Sequence, residues 1–178
     1  IGDVAISTGS VLISEELTGD FTVANGGEAT IERLTGSVTM GEGTANIKTI
    51  IGDLDIGSGA TIITEELTGD FTISDNGQAT VDNITGNVTM GEGTATFKKI
   101  VGAVNVSEGA TFKSDDVEGD VEIDGASSEI TVDNVIGNLN LIKGTNKPGE
   151  SPGTTTINGD YTQGADAVLE IEIGGLND

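Results

Sequence analysis

ELTGDFTVANGGEATIERLTGSVTMGEGTANIKTI (residues 16–50) returns as ELTGDFTISDNGQATVDNITGNVTMGEGTATFKKI (residues 66–100). These stretches belong to two copies, 1–50 and 51–100, which align without a gap and agree at about 29 of 50 positions. A more divergent third copy covers 101–141. Self-similarity at a fixed period marks a repeat architecture, in which each unit buries its apolar side only by stacking on its neighbours.

Within each copy a shorter period of 16–18 residues is set by glycines at 2, 19, 36, 52, 69, 86, 102, 119, 137 and 159. An apolar-x-apolar triplet follows each, as in Phe21/Val23, Val38/Met40, Leu54/Ile56 and Phe71/Ile73. Alternation at period two predicts a strand. A second strand is predicted at Ala29-Thr30-Ile31, Ala60-Thr61-Ile62, Ala79-Thr80-Val81, Ala95-Thr96-Phe97 and Ala110-Thr111-Phe112. One apolar residue then closes each coil, for example Leu17, Leu34, Ile50 and Leu67. A coil this small cannot bury five inward side chains alone. Stacked at about 4.8 Å, such coils share a narrow core between parallel ladders.

The predicted fold is therefore all-β: a parallel β-solenoid (β-helix) of about ten coils of 16–18 residues, grouped in 50-residue, three-coil repeats. Its length would be roughly 45–50 Å at that spacing. No segment carries the i, i+3, i+4, i+7 apolar pattern of a helix. One solenoid spans 1–178. A Pro/Gly loop over 142–156 (IKGTNKPGESPGTTT) interrupts it, and a final coil follows over 157–178, with Tyr161 and Gln163 at inward positions. The chain opens at Ile1 in full register and without Met, which reads as a piece of a longer protein.

Composition narrows the function classes. The 178 residues include 30 acidic and 7 basic side chains, a net charge of −23. Such a surface repels nucleic acid and anionic lipid headgroups. No run of apolar residues is long enough to span a bilayer as a helix, so no membrane insertion is expected. There is no cysteine and no histidine. That removes disulfides, zinc-thiolate sites, cysteine nucleophiles and Ser-His-Asp chemistry. Arg33 is the one arginine, and near-identical coils do not build the unique constellation that catalysis needs. The chain is read as a non-enzyme, with polysaccharide-active β-helix chemistry a minor alternative.

Three features invite a binding role. Acidic pairs recur once per copy, at Glu15/Glu16, Glu65/Glu66 and Asp115/Asp116. They are the candidates for weak Ca²⁺ coordination, since hard oxygen donors suit that ion. Three coils, about 14 Å, separate successive pairs, too far to share an ion. No other cofactor is expected. Asp or Asn follows most corner glycines (Asp3, Asp20, Asp53, Asp70, Asn87, Asp120, Asn138, Asp160), which reads as local turn chemistry. Outward threonines form columns: Thr22, Thr39, Thr72 and Thr89 in the first strand, and Thr30, Thr61, Thr80, Thr96 and Thr111 in the second. Ice-binding solenoids offer two ordered threonines per coil on one face. Here each strand is expected to offer one, so ice binding ranks low.

The tail TTTINGDYTQGADAVLEIEIGG (154–175) resembles a segment near the end of the β-helix in bacterial autotransporter passenger domains, of the form G-[DN]-Y-x-Q … L-x-[IV]-x-[IL]-x-G. Gly159, Asp160, Tyr161, Gln163, Leu169, Ile171 and Gly175 carry the match over about 22 residues. The resemblance implies a secreted or surface-displayed adhesin, although no membrane-barrel segment accompanies it. The expectation is a structural or adhesive rod with a host-surface or polysaccharide ligand. The alternative is a filament or surface-layer subunit that self-associates through its solenoid ends, because exposed strand edges template further pairing.

Overall fold

The computed structural model describes residues 2–57, 59–107, 109–149 and 153–172, which form eighteen strands and no helix. Short and long strands alternate. β1 (Val4–Ile6) leads to β2 (Val11–Thr18), β3 (Phe21–Val23) to β4 (Gly27–Thr35), and β5 (Val38–Met40) to β6 (Gly43–Ile51). The second copy repeats this with β7 (Leu54–Ile56), β8 (Thr61–Thr68), β9 (Phe71–Ile73), β10 (Gly77–Thr85), β11 (Val88–Met90) and β12 (Gly93–Val101). Next come β13 (Val104–Val106), β14 (Ala110–Glu118), β15 (Val121–Ile136), β16 (Leu139–Asn146), β17 (Thr156–Ile157) and β18 (Tyr161–Leu169).

Each strand pairs in parallel with its counterpart one coil away, so the parallel β-solenoid is as expected. The coil count differs. β1 to β15 make about eight regular turns, with β15 running a short and a long strand together. β16 to β18 form an incomplete wrap, with β17 reduced to Thr156–Ile157 on β15 and, among the described residues, β18 paired only with β16. β16 keeps its ladder to Asn146, so the irregular stretch begins after that residue. Residues 173–178 of the expected final coil lie outside the described residues.

The inward columns explain the sequence. Phe21, Val38, Leu54, Phe71, Val88 and Val104 stack in one column, and Leu17, Leu34, Ile50, Leu67, Ile84, Ile100, Val117 and Val135 in another. From Leu17 to Leu141 nearly every member is buried. Burying a Val, Leu, Ile or Phe side chain stabilises by about 1.5–3 kcal/mol. That gain accrues in every coil and drives stacking despite the scarcity of aromatics. Among the few present, Phe97 meets Phe71 edge-on at 5.3 Å and Phe112 at 5.6 Å.

The long strand corrects one expected alignment. Ala29, Ala45, Ala79 and Ala95 share a column with Ile62 and Phe112, not with Ala60 and Ala110. Ala110 stands two positions earlier, opposite Gly93. In the coils of β8 and β14 the bulky residue thus sits two places upstream, and a small polar residue, Thr64 or Ser114, takes the next inward place. Bulk at one position offset by smallness at the next preserves a thin, densely filled cross-section.

The 50-residue period resides at the corner between short and long strands. Three different turns cycle there. The first is closed by Ser10 N–H to Ser7 C=O, with Gly9 at φ 70°. The second, Ala24-Asn25-Gly26-Gly27, has positive φ at both central residues, and Ser74-Asp75-Asn76-Gly77 repeats it with φ 51° and 63°. The third is one residue shorter and enters β6 or β12 directly through Gly43 or Gly93. Two 17-residue coils and one of 16 make up the 50.

Candidate functional site

The Asp/Asn residues after the corner glycines do not make local turn bonds. Those from Asp3 to Asn138 reach the next coil. Asp3 Oδ1 accepts the backbone N–H of Asp20 at 3.0 Å, and Asp20 that of Ser37 at 3.0 Å. Asp53 serves Asp70, Asp70 serves Asn87, Asn87 serves Ala103, Asp120 serves Asn138, and Asn138 serves Asp160. Stacking sets this geometry: the side chain leaves its coil parallel to the rod axis, where the equivalent N–H of the neighbour waits. Local-sequence reasoning cannot see a partner 16–22 residues away.

The acidic pairs fall at a second corner, inside the long strand, where two consecutive side chains face outward. Both members of each pair are exposed. A buried hydroxyl stands just before each later pair: Thr64 and Ser114 are inward, and Ser114 donates to Asp116 C=O at 3.1 Å. Ser14, half-buried, donates to Glu16 C=O at 2.9 Å. The pairs therefore mark a hydroxyl-pinned corner. The second members stand in a column that runs Glu16, Arg33, Thr49, Glu66, Asn83, Lys99, Asp116, Asn134, in which no two carboxylates are successive, whereas Glu32, Asp82 and Asp133 follow the first members Glu15, Glu65 and Asp115 one coil on. Asn83 donates to Glu66 at 2.8 Å and Asn134 to Asp116 at 3.1 Å. Among the described residues no three metal-ligating side chains converge.

Lysines relieve the acidity around these corners. Lys98 pairs with Asp82 and Lys99 with Glu118, each at 2.6 Å. Hydrogen bonds to those carboxylates raise both lysine pKa values. Both pairs are solvent-exposed and contribute little to stability individually.

The long strand holds what the sequence reading missed. Ahead of its corner it offers two outward positions per coil, not one. The first column reads Thr44, Thr61, Gln78, Thr94, Thr111, and the second Asn46, Ile63, Thr80, Thr96, Lys113. The offset just described hid this, because Thr61 and Thr80 belong to different columns. Ten side chains over five coils include no carboxylate, in a chain with 30. Neighbours lie about 4.8 Å apart along the rod and about 6.7 Å across it. Thr61, Ile63, Gln78, Thr80, Thr94 and Thr96 border a shallow trough of about 180 Å³, and Ile63 is 50 % exposed.

At the other end of the rod, Tyr161 and Gln163 fall in the inward columns, opposite Leu139 and Leu141. Tyr161 is nonetheless 38 % exposed. Its hydroxyl donates to Gln163 Oε1 at 3.1 Å, and partial burial raises its pKa.

No family model, curated protein or solved structure matches this chain.

Proposed function

We propose that this solenoid is a structural, adhesive rod segment of a secreted or surface-displayed bacterial protein, working as a scaffold without catalysis. The observation that carries the reading is the carboxylate-free stripe along β6, β8, β10, β12 and β14 on an otherwise strongly anionic molecule. Approach of a neutral or anionic surface at the acidic corners of the rod meets like charge or heavily hydrated carboxylates. On the stripe it meets threonine methyls and hydroxyls, the amides of Asn46 and Gln78, Lys113 and the exposed Ile63 side chain, all carried on strands held by ladders. Rigid presentation lowers the entropic cost of binding, and repetition every coil makes the contact multivalent. The tail resemblance to autotransporter passengers supports the extracellular setting.

The test is retention of the purified chain on insoluble chitin, amorphous cellulose and immobilised collagen, with a Thr80→Glu/Thr96→Glu variant as control. Retention on at least one surface, reduced tenfold or more in the variant, is expected. Equal retention of both proteins, or none on any surface, overturns the reading. The same stripe makes ice the second candidate surface, because two outward positions per coil are present after all. Thermal hysteresis, lost in the double variant, would assign the stripe to ice instead.

A third reading is end-to-end filament assembly, in which the strand edges of the terminal coils template further parallel pairing. Further coils or another copy would cover them. Concentration-dependent growth in sedimentation would support stacking by copies.

A further inference from the structure

We draw no further inference here: the strongest candidate, the open groove of about 410 Å³ that Asp120, Glu122, Asn138, Asn140, Asp160 and Thr162 line between the corner ladder and the outward column of the short strands, is a cluster of acidic side chains into which no buried, unpartnered polar group among the described residues points.

Discussion

Asp53 Oδ1 accepts the backbone N–H of Asp70, one coil and seventeen residues away, at 2.9 Å. Asp70 does the same for Asn87 at 2.8 Å and also takes its side-chain amide at 3.3 Å. The ladder thus ties coils through side chains as well as through strands. Asp70→Ala is expected to lower stability by about 1.5–3 kcal/mol, the range for a hydrogen bond to a charged group. Asp70→Asn keeps the acceptor and removes the repulsion from Asp53, so its urea midpoint should match or exceed that of the parent. A lower midpoint for Asn than for Ala would contradict the ladder's role.

Gly69 sits at φ 146°, and a Cβ there would overlap the Gly52 carbonyl oxygen of the neighbouring coil. Gly9, at φ 70°, faces open space, as does Gly59 at φ 73°. Gly69→Ala is expected to cost about 4 kcal/mol or more, because backbone must move in a stacked column. Gly9→Ala should cost only about 1–2 kcal/mol of left-handed strain. Thermal unfolding of the two variants side by side checks the contrast.

Phe97 bridges Phe71 and Phe112 at the centre of the rod. Phe97→Ala opens a cavity that ladders on both sides hold apart, with an expected loss of about 3–5 kcal/mol. Phe97→Leu should lose less than half as much. Chemical denaturation of both variants gives the comparison.

Hydrogen bonds to Asp82, Glu118 and Glu129 hold Lys98, Lys99 and Lys147 above the ordinary lysine pKa. A raised folded pKa means that the folded chain keeps its proton longer than the unfolded chain. This contribution is complete below the ordinary lysine pKa and is lost as pH rises through the folded values. Tyr161 has the same sign, because burial disfavours its phenolate. Denaturation midpoints should therefore fall in the alkaline range, and fall less in Lys98→Met/Lys99→Met. As the one tyrosine in a chain without tryptophan, Tyr161 can be titrated directly by phenolate absorbance, with a midpoint above the ordinary value.

Cations should stabilise the rod by screening. Raising monovalent salt from about 10 mM to 0.15 M shortens the Debye length from about 30 to 8 Å, so the melting temperature should rise. At equal ionic strength Ca²⁺ and Mg²⁺ are expected to act alike, because among the described residues no three metal-ligating side chains converge at Glu65/Glu66 or Asp115/Asp116. A Ca²⁺-specific increase that disappears in Glu65→Gln/Glu66→Gln would instead establish a site at that corner.

Much of the fold was legible in residues 1–100 because a solenoid converts sequence period into spatial neighbourhood. The corner glycines, the Phe21/Val23-type pairs and the Leu17 column each recur at a spacing that only stacking explains. Composition also determined the charge and the absence of histidine and cysteine chemistry. What the sequence could not supply was register between coils of unequal turn type. Ala60-Thr61-Ile62 and Ala79-Thr80-Val81 look equivalent as strings, yet the turns before them place the triplets two residues out of step. That offset decides which threonines share a column, and so whether the carboxylate-free stripe exists. The partner of Asp53 was equally hidden. Hydrogen bonds between coils depend on three-dimensional packing, which the linear order of residues does not contain.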